Sequence, residues 1–410
     1  MTATGVGAAS CRRISRKCAT NRICLRLAFR SVEFAHEQKG ERGSPVGMGG
    51  RSPAAFPARR ESSHGYRGEV LKAPRTRIES VAVHLPGRYR TMEETREKIA
   101  ETGGYTPPPG LLERLTGVRG VHVREDGENA SDLAVAAART ALGQAGLKIG
   151  DIDLLLFAAT SQDLIEPATA HLVAAKMGAS CPVFDVKNAC NSVLNAMEVA
   201  SSLISAGRYR TILIACGESG TLVTRWHAPD CGDLLRAMPG YTASDAGAAM
   251  VLAAAAPVNE DGAEILALRF VSNSAAWEAC TVAAGGTLHG RSMHDDHATL
   301  RLNGDLRRIA LETLPKALPE VEDELRAARE SDFIAFHQIS MVHFHKTLDT
   351  LALPEARCMP AVAEHGNCGA ASLPLQLVKA RESGRLTRGD AVAMLGMASG
   401  FSFGVALARW

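Results

Sequence analysis

What most constrains this chain is an alternation of segment types that runs through it twice. From Arg75 onward, short apolar runs take turns with longer amphipathic ones. RIESVAVHLPG alternates with period two and stops at Pro86-Gly87, which predicts a half-buried strand. ASDLAVAAARTALGQAG carries a helical apolar stripe, with Ser131 as the predicted N-cap and Gly146 as the stop. DIDLLLFAAT is continuously apolar in its centre, which predicts a strand covered on both faces. PVFDV, a helix from Cys190 to about Ala206, RTILIACGES and AAMVLAAAA continue the series.

The order returns after PVNEDGA, residues 256–262. EILALRFVSNS predicts a strand, LNGDLRRIALETLPKALPEVEDELRAAR helix, FIAFHQIS a strand with a polar end, and LPLQLVKARESG a helix. AVAMLGMASG and GVALARW close the chain as a strand pair. Two similar halves, 76–258 and 259–410, therefore predict an α/β fold of two mixed sheets sandwiched with helices. Chemistry in such folds gathers beyond the C-terminal ends of strands.

Residues 1–75 differ in kind. They hold fifteen Lys/Arg against five Glu, so the remaining 335 residues carry 46 − 15 = 31 basic and 44 − 5 = 39 acidic groups. An Arg/Gly/Pro-rich stretch without periodicity buries too little apolar surface to offset chain entropy, and it is expected to be disordered. A transit peptide, or a start assigned too early with Met48 downstream, would share that composition. The mildly acidic remainder offers no basic stripe for nucleic acid. No apolar run reaches the roughly 18–20 residues that a membrane helix needs. Ten cysteines without paired CxxC spacing point to reduced thiols and a cytoplasmic protein rather than a metal or disulfide framework.

Three stretches place a reactive side chain just past a buried run: VKNAC at Cys190, FIAFHQIS at His337, and AEHGNCGAAS at Asn367. A cysteine at a helix start meets unpaired N–H groups that favour thiolate, although free cysteines are commonly buried for packing. A lone histidine after an apolar strand is ordinarily a satisfied core residue, and Asn between glycines is ordinarily a turn residue. Taken singly, each keeps both readings.

Together they resemble the ketoacyl synthase III branch of the thiolase superfamily, over Arg77 to Trp410. The resemblance rests on DVKNAC, HQIS, HGNCGAASLPL, the loop LGMASGF and the closing GVALARW. It implies a five-layer αβαβα thiolase-like sandwich that needs no cofactor. In that family pattern Cys190 is the acylated nucleophile, His337 and Asn367 are its partners, and the backbone N–H groups of Cys190 and Ser399 hold the oxyanion. Glu166, in TSQDLIEPATA, further resembles the base of the long-chain acyl-CoA head-to-head condensing enzymes of olefin and β-lactone biosynthesis, where a glutamate reaches across a dimer. SAAWEAC around Trp277 adds to that similarity, and Trp277, Ser340 of HQIS and Arg308 of GDLRRIA are the implied substrate contacts.

The resemblance implies a condensing acyltransferase that forms acyl-Cys190 and a β-keto product. The first reading is non-decarboxylative Claisen condensation of two acyl-CoAs with Glu166 as base. The alternatives are a decarboxylating synthase joining acyl-CoA to malonyl acyl carrier protein, and a partner subunit of a heterodimeric condensing enzyme. The implied partners are acyl-CoA, acyl carrier protein as a second carrier, and either an identical or a related subunit. Near GGYTPPPGLLERLTGVRG only Arg114 and Arg119 offer a grip for CoA, with no tryptophan. Asn191 after the nucleophile is expected to shape the acyl pocket. His289, His294, Asp295, Asp296 and His297 crowd one loop, but the spacing fits no metal motif and predicts a solvated loop.

Overall fold

The run Leu154–Ala158 is buried at all five positions because it lies between two parallel neighbours, Val183–Val186 and Thr211–Ser219. In this computed structural model, residues 75–255, 263–289, 298–302 and 318–410 are described. The first sheet comprises β1 (Thr76–His84), β2 (Leu154–Ala158), β3 (Val183–Val186), β4 (Thr211–Ser219) and β5 (Asp245–Ala254), in the order β1-β5-β4-β2-β3. β1 and β4 both run antiparallel to β5, so only the β4-β2-β3 side is parallel.

The second sheet comprises β6 (Glu264–Ser272), β7 (Phe333–Phe336), β8 (Ala391–Ala398) and β9 (Ser402–Arg409), in the order β7-β8-β9-β6. β6, β9, β8 and β7 repeat the directions of β1, β5, β4 and β2. Where the repeat would place a counterpart of β3, a single parallel bridge joins Ile334 to Cys358.

Helices fill the layers. α1 (Ala130–Ala145) and α2 (Thr169–Met177) cover the outer face of the first sheet. α3 (Ser192–Ser205) and α6 (Ser372–Glu382) lie between the sheets. Leu194 of α3 packs toward Gly396 and Gly404, while α6 touches β1 and β5 on one side and β7 and β8 on the other. α6 buries Ser372 through Val378 without a break, as a central helix must. α4 (Glu322–Glu330) and α5 (Met341–Leu351) close the outer face of the second sheet, where Phe344, Leu348 and Leu351 join Ile334 and Phe336 in one core. The layers run α, β, α, β, α, and the chain has the α/β thiolase-like fold.

One local expectation shifts. The cap of α1 is Asn129, whose N–H donates to Asp132 at 3.0 Å, and Ser131 is instead buried against Asp163. Residues 256–262, and the part of the predicted helix that contains Arg308, lie outside the described residues. So do 290–297, which hold His294, Asp295, Asp296 and His297.

Candidate active site

The chain between β3 and α3 turns sharply. Ala189 takes φ +46°, a left-handed conformation that a side chain with a Cβ disfavours, and it must be held there by its surroundings. Asn188 N–H donates to Ser192 Oγ at 2.9 Å, and its amide donates to Asn195 Oδ1 at 2.8 Å and to Ser402 Oγ at 3.3 Å. Asn191 Nδ2 donates to Ser402 O at 3.1 Å and to Ser402 Oγ at 3.2 Å. Asn191 is fully buried and ties the turn to the start of β9. A Cβ on Gly396 would lie 2.1 Å from Asn191 Oδ1, which is why β8 carries glycine there.

α3 starts at Ser192, two residues after Cys190. The Cys190 thiol is half-buried and free. Its own N–H lowers the thiol pKa, but burial, the nearby Glu218 carboxylate and the Cys280 thiol push it well above the ordinary value. Cys190 is therefore a thiol at neutral pH, and the helix start alone does not make it a thiolate.

His337 follows β7 directly, and its N–H donates to Leu395 O at 2.9 Å. Leu395 precedes Gly396, so the histidine backbone and the nucleophile turn meet on the same stretch of β8. The imidazole is 4% exposed and its Nδ1 is buried without a hydrogen-bond partner. Burial, then the neighbouring His343, lowers its pKa to about 3, so it is neutral at pH 7.

Asn367 lies in the loop before α6, the counterpart in the repeat of the turn before α3. Its N–H donates to Thr242 O at 2.7 Å and its carbonyl accepts from Ser244 N–H at 2.9 Å. Oδ1 accepts from Gly369 N–H at 3.0 Å, which turns the Nδ2 donor the other way. Among the described residues Nδ2 has no recorded partner.

The remaining sequence candidates are placed as follows. Ser399 is exposed in the tight turn between β8 and β9, ahead of Gly400 at φ +80° and Phe401 at φ +49°. Trp277 is 47% exposed in a short helical segment that leads to Cys280, the thiol beside Cys190. Ser340 caps α5, its Oγ accepting from His343 N–H at 3.1 Å, which is a structural use of the hydroxyl. Glu166 is exposed in the loop between β2 and α2, directly after Leu164 and Ile165, 48% and 74% exposed. Among the described residues no hydrogen bond or ion pair joins it to Cys190, His337 or Asn367.

Sequence reasoning missed Glu218, at the end of β4 and 2% exposed. It accepts four hydrogen bonds, from Thr160, Ser161 and Ala370. The signal was present: ILIACGES ends a buried apolar strand on a charged residue, the pattern that singled out His337.

A family profile described as 3-oxoacyl-[acyl-carrier-protein] synthase III matches residues 184–274, and its C-terminal companion matches 324–410. A beta-ketoacyl-[acyl-carrier-protein] synthase III of Thiobacillus denitrificans is 32% identical over 335 residues, 77% of this chain and 100% of that one. The corresponding protein of Rhodospirillum centenum is 32% identical over 345 residues, 82% of this chain and 99% of that one. Among solved structures, a variant of Xanthomonas campestris OleA with bound lauric acid and lauroyl-CoA superposes with a TM-score of 0.72 at 28% identity, covering 82% of this chain and 100% of that one.

Proposed function

This chain belongs to the 3-oxoacyl-[acyl-carrier-protein] synthase III family, and we propose that within it the enzyme joins two acyl-CoA thioesters without decarboxylation. It is a condensing acyltransferase of that family. In the proposed reaction Cys190 Sγ attacks the carbonyl of the first acyl-CoA, the carbonyl–sulfur bond to CoA breaks, and CoA leaves with the thiol proton. The N–H groups of Cys190 and Ser399 receive the oxyanion. A positioned carboxylate, Glu166, removes the α-proton of the second acyl-CoA. The enolate oxygen is held by Asn367 Nδ2–H and by the N–H of the neutral His337. Its carbon attacks acyl-Cys190, the thiolate leaves, and a β-ketoacyl-CoA results.

The observation that carries the choice of base is the placement of Glu166. It stands exposed directly after two exposed apolar residues, Leu164 and Ile165, and Lys187 Nζ, just after β3, donates to Gln162 Oε1 of the same loop at 2.9 Å. Among the described residues β3 is an edge strand of the first sheet, with Phe184 40% exposed. A second subunit covering this edge would remove unpaired backbone groups and apolar surface from water. It would also receive Glu166 at its own acyl-cysteine. Saturated acyl-CoAs of about the length of the lauroyl-CoA bound by the OleA variant are the substrates to try first.

The relatives named as beta-ketoacyl-[acyl-carrier-protein] synthase III support a second reading, decarboxylative extension of an acyl-CoA by a malonyl carrier protein. Glu166→Gln separates the two. It is expected to leave acyl-Cys190 formation intact, read by intact-protein mass after lauroyl-CoA, and to stop condensation. Condensation at the wild-type rate would remove Glu166 from the mechanism.

A further inference from the structure

Glu218 is a buried carboxylate whose four hydrogen-bond donors come from two separate loops of the site. Oε1 accepts from Thr160 N–H at 2.8 Å and from Ala370 N–H at 3.0 Å. Oε2 accepts from Ser161 N–H at 3.2 Å and from Ser161 Oγ at 3.1 Å. Ser161 Oγ in turn accepts from Ser219 N–H at 2.9 Å, closing the cluster back onto β4. Thr160 and Ser161 root the loop that carries Glu166. Ala370 belongs to the turn that follows Asn367. That turn is shaped around the carboxylate: Gly369 sits at φ +54°, and a Cβ there would lie 2.8 Å from Glu218 Cδ and Oε1. With every partner a donor, only an acceptor-only group satisfies the cluster, and a primary amide would turn N–H groups against N–H groups.

We infer that Glu218 is the positioning residue of the site, holding the Glu166 loop and the Asn367 turn in one frame around Cys190. The inference rests on the functional reading above for the roles of Glu166 and Asn367. It predicts that the carboxylate acts on the second half-reaction, where both loops are needed, more than on the first. Its charge also faces the nucleophile. Glu218 and Cys216 from β4, and Cys280 from the segment after Trp277, are the titratable groups around Cys190, and Cys368 is a further thiol facing Glu218. Removing the negative charge should ease ionisation of Cys190.

The test uses Glu218→Gln in the full chain, with three readouts and a melting curve. Condensation kcat is expected to fall about 10²-fold, as for a small misplacement of reacting groups, with KM within about threefold. Acyl-Cys190 formation is expected to fall less than about tenfold. Alkylation of Cys190 by iodoacetamide at pH 8, read on its peptide by mass, is expected to rise about three- to tenfold, the response to losing up to about one unit of pKa. A kcat within about twofold of wild type, or an unchanged or slower alkylation, would overturn the assignment. Should Glu218→Gln fail to fold, Ser161→Ala removes one donor and is expected to slow condensation about three- to tenfold while leaving acylation unchanged; equal losses in both steps would overturn it. If the wild-type enzyme forms acyl-Cys190 but no β-keto product from acyl-CoA alone, the functional reading fails by itself, and the alkylation rate still decides the place of Glu218.

Discussion

At the scale of the residue, a polar side chain that closes a buried strand was legible, and which way a side chain points was hidden in tertiary contacts. His337, directly after the buried β7, fits the first case. Asn191 and Ser340 fit the second: one is spent on Ser402 and the other on a helix cap. The ionisation of Cys190 was also not legible, because burial and Glu218 oppose the helix start. Cys190→Ser is expected to lower acyl-enzyme formation by on the order of 10³-fold, since a buried hydroxyl without a dedicated base is a poor nucleophile. Intact-protein mass after acyl-CoA reads this directly, and a serine ester at the wild-type rate would contradict it. Asn367→Asp keeps the acceptor that bonds Gly369 N–H and loses the Nδ2 donor. Condensation should then fall about 10²–10³-fold, as when one oxyanion donor is removed, with acylation of Cys190 less affected. Single-turnover assays of the two steps check this, and equal loss in both would argue that Asn367 shapes the fold instead.

At the scale of the element, continuous apolar runs identified the buried strands, and alternation identified β1. The ends were less legible. Asn129 and Ser131 are both capping types, and only the reach of Asp132 back to Asn129 N–H and the partner Asp163 for Ser131 choose between them. β3 shows what sequence conceals at this scale. VFDV reads as another interior strand, yet it lies at the sheet edge with Phe184 exposed. A second subunit on that edge would explain the apolar residue in water. Phe184→Lys should therefore weaken association, shift the protein toward monomer in sedimentation, and abolish condensation more than acylation. A variant that stays associated with full activity would place the interface elsewhere.

At the scale of the molecule, the repeated order of segments was enough to predict two sheets and the helices between them, and the structure adds that the Cys190 turn and the Asn367 loop occupy equivalent places in the two repeats. Packing also buries histidines: His337 and His343 beside the second sheet, and His365 stacked on His122. His337 titrates near 3, and His343 and His365 near 4, each lowered first by burial. Unfolded histidines titrate near about 6.5. As pH falls below that value the unfolded chain takes up protons that the folded chain refuses, so stability is full above about 6.5 and declines toward about 4. Urea midpoints across this window should fall, and His343→Gln should flatten the fall; an unchanged slope would mean that His343 is not buried as described.

The most direct test of the proposed condensation is product analysis by mass spectrometry. Purified enzyme is given lauroyl-CoA alone, then lauroyl-CoA with malonyl acyl carrier protein. A β-ketoacyl-CoA from lauroyl-CoA alone, or the β-keto acid left when water cleaves its thioester and the ketone left when that acid loses CO2, is the predicted result. A β-keto product that forms only when the malonyl carrier is present would contradict it and make this enzyme a decarboxylating synthase.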